Sequence, residues 1–363
     1  MTNQLELEKS ILSPPGDTIQ ETLESIKMSQ AELAERMGRP KEKINDIIKG
    51  REPISTSTSF QLERVLGIPA SFWLNREKEY RRQLFEIEQK EILEKSSEWI
   101  KNFPILQMKK LGWLPEVKEK HKVVMELLNF FSIATPIEWS KIYLNKEVSV
   151  AFRTSLVQTQ NPYAISAWLR AGERQSMNLD LPEFNKKLFK ECLSKIRELA
   201  FKNPTTFSQD LQNICLSCGV AVVYTPNLPK APISGATRWF NNRPLIQLSG
   251  RYKTDDHFWF TFFHEVGHIM EHGKKEIFLE DVEHSMIDKR KENEADEFAS
   301  KWLIGEKQYQ EILSNLPITE QKVIAFSNKF RIPAGVIIGR LQHYRIIAHS
   351  EGNNLKNKIN LFS

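Results

Sequence analysis

Two histidines and one glutamate stand together in the run His264-Glu265-Val266-Gly267-His268. If this run is helical, the four-residue spacing puts both imidazoles on one face, one turn apart. Their nitrogens can then converge on one zinc ion, with Glu265 beside them as general base. The run follows a dense aromatic stretch, which predicts a buried helix: Phe258, Trp259, Phe260, Phe262 and Phe263.

A catalytic zinc of this kind needs a third protein ligand and keeps one open position. Downstream, apolar residues recur at helical spacing and predict the buried face of a second helix: Ala295, Phe298, Ala299 and Trp302. Glu292 falls on that face, where a carboxylate is costly unless it is paired or bound to metal. Glu292 is therefore the expected third ligand of one zinc ion per chain, whereas Glu294 and Glu297 are expected to face solvent. The alternative is an exposed charged helix that begins with Glu292.

The chemistry expected of such a site is peptide-bond hydrolysis. Zinc acidifies water and polarises a carbonyl, while Glu265 moves the water proton to the leaving amine. An oxyanion donor is also expected, and the sequence leaves it open among three side chains: Arg238, Tyr252 and His257. His272 lies about 12 Å along the helix from His264, so the three imidazoles cannot share one ion. We expect His272 to support the ligands or to contact substrate.

A small antiparallel sheet is predicted upstream of the metal helix. Residues 220–225 form a strongly β-prone run, and residues 235–240 and 245–249 read as a hairpin. The edge of this sheet can bind an extended peptide by strand addition. The alternative is that the sheet only covers the helix.

The N-terminal sequence predicts three short helices. Capping boxes begin two of them, at Thr18 and at Ser29, and Pro40 suits the first position of the third. Residues 27–51 contain seven Lys and Arg against four Asp and Glu. This pattern is typical of a helix-turn-helix with a basic recognition helix. The alternative is a small helical bundle with a solvated charged face.

The DNA contacts expected of this module follow from side-chain chemistry. Lysine and arginine neutralise phosphates, a glutamine at the start of the supporting helix binds the backbone, and an asparagine can reach a base edge. The candidates are Gln30, Arg39, Lys41, Lys43, Asn45 and Lys49. The expected partner is a double-stranded DNA operator, bound by a homodimer because such modules usually read paired half-sites.

Residues 14–80 resemble the Cro/C1-type helix-turn-helix proteins and, among them, the HigA-type antitoxins. Four segments carry the resemblance: Pro15-Gly16, Met28–Gly38, Ile47–Gly50 and Leu66–Leu74. The recognition helix departs from the family pattern, because members often carry Ser or Thr around Lys41 to Lys43. The resemblance implies operator binding without identifying the operator.

Residues from about 230 to 305 resemble the ImmA/IrrE family of metallopeptidases, on the runs Phe262–His268 and Glu292–Ala299. The likeness implies His264, His268 and Glu292 as zinc ligands and Glu265 as catalytic base. Family members cleave repressors of the helix-turn-helix class. Because both halves share one chain here, the substrate stays open among a separate repressor, the chain's own DNA-binding arm and a toxin partner.

Composition sets broad limits on the chain. Its 363 residues are 40% hydrophobic and 27% charged, which is ordinary for a soluble protein. The net charge of +5 permits nucleic-acid binding. Neither a secretory signal nor a membrane-spanning apolar run is recognised, so a cytoplasmic location without membrane association is expected. The three cysteines are interpreted as buried small side chains, although Cys215-x-x-Cys218 leaves redox chemistry open.

We therefore predict a mostly helical α+β protein. The expected divisions are a flexible arm (1–13), a helix-turn-helix domain (14–80), a helical connecting region (81–205), a zincin-like peptidase domain (206–310), and C-terminal helices with a frayed tail (311–363). The leading hypothesis is a transcriptional regulator with a zinc endopeptidase domain. The alternatives are a HigA-like antitoxin or repressor whose zinc domain is a sensor or platform, and a purely structural zinc.

Overall fold

The computed structural model describes residues 7–144, 161–203, 205–273, 277–279 and 286–362. The chain divides into two compact units, residues 1–97 with 118–124 and residues 98–117 with 125–363. In the described residues, no helix is both long and apolar enough to cross a bilayer.

The first unit is a helical bundle built around a small apolar core. Its helices are α1 (Pro15–Ser25), α2 (Gln30–Met37), α3 (Lys41–Ile48), α4 (Thr56–Leu66) and α5 (Ala70–Lys95). The core draws on every helix: Ile19, Leu23, Leu33, Ile44, Ile47, Leu62 and Trp73.

The ends of these helices follow local chemistry. Ser29 caps α2 as predicted, since its side chain accepts a hydrogen bond from the Glu32 amide. The predicted start at Thr18 is wrong: α1 begins at Pro15, where the fixed proline φ suits a first turn. Pro40 is the N-cap of α3 and not its first helical residue.

Two predicted features around this bundle differ from the structure. Helix α5 runs 26 residues without a Gly or Pro to stop it, so the boundary predicted at residue 80 falls inside a continuous helix. The described part of the predicted flexible arm is tied to α5, because Lys90 pairs with Glu8 and Arg76 donates to Ser13.

Helices also dominate the described residues between 97 and 217. They are α6 (Ser97–Ile100), α7 (Ile105–Lys110), α8 (Lys120–Phe131), α9 (Pro136–Tyr143), α10 (Pro162–Ser176), α11 (Lys186–Lys202) and α12 (Phe207–Ser217). An aromatic cluster in the second unit includes Phe103, Phe131, Trp139 and Trp168.

The four-stranded sheet has the order β1-β3-β2-β4, formed by β1 (Ala221–Tyr224), β2 (Gly235–Phe240), β3 (Arg243–Leu248) and β4 (Ile277–Leu279). The predicted hairpin is β2–β3, closed by Asn241 and Asn242, both at positive φ as a two-residue turn requires. The sheet is mixed and not wholly antiparallel as predicted, because β1 pairs with β3 in parallel. Helix α12 directly precedes β1 in the chain. Strand β1 is at one edge of the sheet, next to β3, the second strand of the hairpin.

Alternate residues of the sheet face different helices. On one face, Gln247 donates to the Trp168 carbonyl of α10. On the other, Ile246 and Leu248 join the main core with α13 (Asp255–Glu271). The remaining helices are α14 (Met286–Leu303), α15 (Glu306–Leu313), α16 (Glu320–Phe330) and α17 (Ala334–His343), and residues Asn353–Leu355 form a 3₁₀ turn.

The C-terminal segment is fixed, and the prediction of a frayed tail at residues 353–358 is wrong. Lys356 forms a buried ion pair with Asp256, with Nζ and Oδ2 2.7 Å apart. Asn357 donates to both carboxylate oxygens of Asp255, through its backbone at 3.1 Å and its side chain at 2.9 Å. The buried carboxylates at the start of α13 need these partners, and the sequence alone does not connect them to residues a hundred positions away.

Candidate metal centre

Helix α13 carries the His-Glu-x-x-His run through the middle of the second unit. It is apolar on nearly all sides, and from Thr261 to Met270 every residue is buried. Its main helical neighbour is α14, and Gly267 permits the close approach: a Cβ on Gly267 would lie 3.0 Å from the Cα of Ala295. The glycine inside the motif therefore lets the second helix approach closely enough to bring Glu292 to the histidines.

Three potential ligand atoms meet between the two helices. His264 Nε2 lies 3.0 Å from His268 Nε2 and 2.9 Å from Glu292 Oε2, and His268 Nε2 lies 3.5 Å from the same oxygen. A tetrahedral ion with bonds of about 2.0–2.1 Å holds its ligand atoms roughly 3.3 Å apart. The triangle therefore has about the size that a zinc ion requires. Among the described residues, His264, His268 and Glu292 form a group that could hold a metal ion.

The charge state of the triangle also suits a cation. Burial lowers the pKa of His268 to about 4, so its imidazole is neutral at physiological pH. Burial opposes ionisation of Glu292, but hydrogen bonds with His264 and His268 outweigh it and hold its pKa below the usual range. Neutral imidazole and ionised carboxylate are the forms that bind metal.

The outer nitrogens of both imidazoles are held by neighbouring side chains. His264 Nδ1 lies 2.8 Å from Asp296 Oδ1. His268 Nδ1 lies 3.0 Å from His272 Nδ1, and His272 Nε2 lies 3.0 Å from Glu294 Oε2. Partners of this kind orient metal-binding imidazoles.

Sequence reasoning missed the parts played by Asp296 and Glu294. Asp296 lies four residues after Glu292, on the same face of α14, and this spacing was the signal that could have found it. Glu294 is partly exposed as expected, but it also contacts His272. Phe278 of β4 stacks on the His268 ring, with centroids 3.9 Å apart.

Glu265 is fully buried, at 0% exposure, and faces β2. A Cβ on Gly235 would lie 2.5 Å from Glu265 Oε1, so only glycine fits there without displacing the carboxylate. Thr237 donates to the Glu265 carbonyl at 3.1 Å and fixes the strand against the helix. The candidate base therefore lies between the metal-binding face of α13 and the sheet.

The four candidate substrate contacts are placed differently. His272 touches the ligand set directly. Arg238 is buried on the far face of the sheet, where it donates to the Leu169 carbonyl and to Gln247. Tyr252 and His257 stack on each other, with centroids 4.5 Å apart, at the start of α13, roughly 10 Å along the helix from His264.

In the first unit, five of the six candidate DNA contacts lie on or beside α3, and the sixth, Gln30, begins α2. Lys41, Lys43 and Lys49 are exposed, and Asn45 is half-buried. The remaining two candidates have partners inside the module: the Arg39 guanidinium donates to Gln61 and the Gln30 amide to Gln20. Lys43 is paired with Glu52 at 2.7 Å.

The cysteines match their interpretation as buried side chains. Cys192, Cys215 and Cys218 are all free thiols, and all are buried. Burial raises the pKa of Cys218 to about 11, which keeps it a neutral thiol.

Comparison with known proteins identifies two domains. A family model described as helix-turn-helix matches residues 19–73. A peptidase family model described as the IrrE N-terminal-like domain matches residues 216–342. Among solved structures, the chain is similar to an addiction module antidote protein of a HigA family from Coxiella burnetii, at 28% identity over 24% of this chain and 88% of that chain, with a TM-score of 0.19. No curated protein matches it.

Both predicted resemblances are confirmed. The chain contains a helix-turn-helix DNA-binding domain followed by a domain of a peptidase family. The triangle formed by His264, His268 and Glu292 lies within the second domain.

Proposed function

We propose that this chain is a DNA-binding transcriptional regulator whose IrrE-like domain is a zinc-dependent endopeptidase. The observation that carries the proposal is the triangle of His264 Nε2, His268 Nε2 and Glu292 Oε2, with sides of 3.0, 2.9 and 3.5 Å. These three atoms are the proposed ligands of one zinc ion.

The chain's own residues divide the work of hydrolysis. A zinc ion held by the triangle would supply Lewis acidity toward water and toward a peptide carbonyl. A carboxylate oxygen of Glu265 accepts the proton of the attacking water and passes it to the leaving nitrogen. Gly235 leaves space beside that carboxylate, and Thr237 holds the helix backbone in place. Asp296 keeps the His264 ring oriented toward the other ligands.

We assign the first unit to operator binding as a homodimer. The exposed lysines of α3 would neutralise phosphates, and Asn45 would reach a base edge. The proposed substrate is a repressor-type protein. What motivates this assignment is that a helix-turn-helix domain and a peptidase-family domain occur in the same chain.

The test separates metal binding from turnover. Full-length wild type, Glu265→Gln and His264→Ala are compared for zinc content and for cleavage of labelled casein and of a purified helix-turn-helix repressor. We expect stoichiometric zinc in the wild type and in Glu265→Gln, and its loss in His264→Ala. Cleavage should fall by about 10²–10⁴ in Glu265→Gln. A Glu265→Gln protein that keeps full cleavage activity would overturn the catalytic assignment.

A second candidate is a HigA-like antitoxin or repressor in which the zinc domain is a sensor or platform. The observation that favours it is burial: Glu265 is 0%, His268 1% and His264 3% exposed. In that case zinc would change operator affinity while neither protein probe is cleaved by the wild type.

A further inference from the structure

A line of three side chains leads from the proposed metal centre to the surface of α14. His268 Nδ1 contacts His272 Nδ1 at 3.0 Å, and His272 Nε2 contacts Glu294 Oε2 at 3.0 Å. The His272 side chain is 4% exposed, whereas that of Glu294 is 41% exposed. A buried pair of imidazoles thus ends at a carboxylate that reaches water.

Hydrogen-bond chemistry permits only certain proton positions along this line. A neutral imidazole has one N–H and one bare nitrogen, so a contact between two Nδ1 atoms needs one donor and one acceptor. An ionised carboxylate can only accept, so Glu294 requires the proton of His272 on Nε2. The bare Nδ1 of His272 must then accept from His268, which places the His268 proton on Nδ1 and leaves its Nε2 bare.

We propose that Glu294 and His272 act together as positioning residues that hold His268 in the tautomer whose Nε2 can bind the metal. This inference rests on the proposed zinc site, which it deepens by naming how one ligand is prepared. His264 needs no such line, since Asp296 holds its Nδ1 directly at 2.8 Å. The outer nitrogen of each proposed histidine ligand is therefore connected to a carboxylate. That of His264 contacts Asp296 directly, and that of His268 is connected to Glu294 through His272.

The apolar surroundings raise the energetic cost of a proton on the wrong nitrogen. Phe278 covers both rings of the line, with centroids 3.9 Å from His268 and 5.2 Å from His272. In such a dry setting, a mismatched hydrogen bond is more costly than in water. Arg290 donates to Oε1 of Glu294 at 2.9 Å, which leaves Oε2 to accept from His272.

Without Glu294, the hydrogen bond between His272 and His268 can form in the opposite direction, with His272 as the donor. His272 could carry its proton on Nδ1 and donate it to His268, whose own proton would then move to Nε2. That nitrogen could no longer bind an ion. The proposal thus predicts that an uncharged residue at position 294 weakens metal binding without touching a ligand.

The experiment uses the full-length chain and zinc alone. Glu294→Gln, His272→Ala and His272→Asn are compared with a matched control, Glu297→Gln, which removes a carboxylate of the same helix that pairs with Lys301. Zinc affinity is measured by competition with a chelator, and imidazole tautomers are read by nitrogen-15 NMR on histidine-labelled metal-free protein. Thermal unfolding shows that each variant is folded.

We expect Glu294→Gln and His272→Ala to lose roughly 10- to 100-fold in zinc affinity. His272→Asn should recover part of that loss, because its side-chain oxygen can accept from His268 Nδ1. His268 should carry its proton on Nδ1 in wild type, whereas Glu294→Gln should show a mixture of two neutral tautomers, one with the proton on Nδ1 and one with it on Nε2.

Unchanged zinc affinity and an unchanged His268 tautomer in Glu294→Gln would overturn the positioning role while leaving the zinc site intact. Absence of zinc binding in the wild type would instead overturn the proposed function. Even in that case, the His268 tautomer measured in metal-free protein shows whether Glu294 and His272 position the proton on Nδ1.

Discussion

Gly267 and Ala295 lie in close contact between the two helices that carry the proposed ligands, and a Cβ added to the glycine would lie 3.0 Å from the alanine Cα. The contact joins backbone to backbone, so neither side can yield by rotating a side chain. The separation of the helices, and with it the reach of Glu292, depends on this pair.

Gly267→Ala should therefore weaken both the fold and the zinc site. Overpacking of this kind costs about 1–3 kcal/mol, against a gain of about 1 kcal/mol from helix propensity. The measurements are thermal unfolding and zinc affinity of the same preparation. A variant more stable than wild type, with unchanged zinc affinity, would show that propensity dominates and that the close approach does not set the site.

Glu292→Gln should abolish stoichiometric zinc binding while the protein stays folded. The substitution keeps the side-chain volume but removes the anionic oxygen that lies 2.9 Å from His264 Nε2. Metal analysis after dialysis gives the readout, with Glu297→Gln as control because that carboxylate pairs with Lys301. Equal zinc content in Glu292→Gln and wild type would remove Glu292 from the ligand set.

Asp255→Asn should stabilise the protein above pH 6. Burial raises the pKa of Asp255 to about 6 from 3.8. The unfolded chain releases this proton near pH 4, while the folded chain keeps it until about pH 6, so stability falls with rising pH across that window and stays lower above it. Asparagine has no charge to bury, which contributes about 2–3 kcal/mol at neutral pH, and this outweighs the hydrogen bond of about 1 kcal/mol that Asn357 loses when an amide NH₂ replaces one carboxylate oxygen.

Denaturant unfolding at several pH values checks this prediction. The gain should fall by about 2–3 kcal/mol between pH 7 and pH 4. Asp256→Asn is the contrasting variant: it breaks the buried ion pair with Lys356 and should lose about 3 kcal/mol at neutral pH. If Asp255→Asn gives the same difference from wild type at pH 4 and pH 7, burial of the charge is not what limits stability there.

Lys41→Ala and Lys49→Ala should each weaken binding to random-sequence duplex DNA. Each exposed lysine that contacts a phosphate contributes about one unit to the slope of log affinity against log salt. Fluorescence anisotropy at several salt concentrations measures that slope. Lys301→Ala, which removes the same charge from the second unit, should leave the slope as in wild type. An equal loss of DNA affinity in all three variants would show that net charge alone determines binding.

The parts of the fold with strong local signals were predictable. Ser29 caps α2 because its hydroxyl can accept the Glu32 amide, a relation contained within four residues. The His-Glu-x-x-His helix and Glu292 followed from periodicity and from the cost of a buried charge. Both predictions used short spacings, where chain geometry leaves few options.

Features that depend on distant contacts were not predictable. In the parallel pairing, β1 bypasses β2, the next strand in the chain, and joins β3, and the β-prone run at residues 220–225 does not specify that partner. The segment at Lys356 and Asn357 is ordered because its side chains bind two buried carboxylates a hundred residues earlier, those of Asp256 and Asp255. Polar, lysine-rich sequence alone cannot distinguish such a segment from a disordered one.

The burial of both proposed histidine ligands, beside a partly exposed Glu292, has a kinetic consequence. Phe278 and the surrounding core cover the two histidines, so a chelator can reach the ion only through the open position that a peptide would also use. We therefore expect bulky chelators to remove zinc from the native chain more slowly than small chelators of similar affinity.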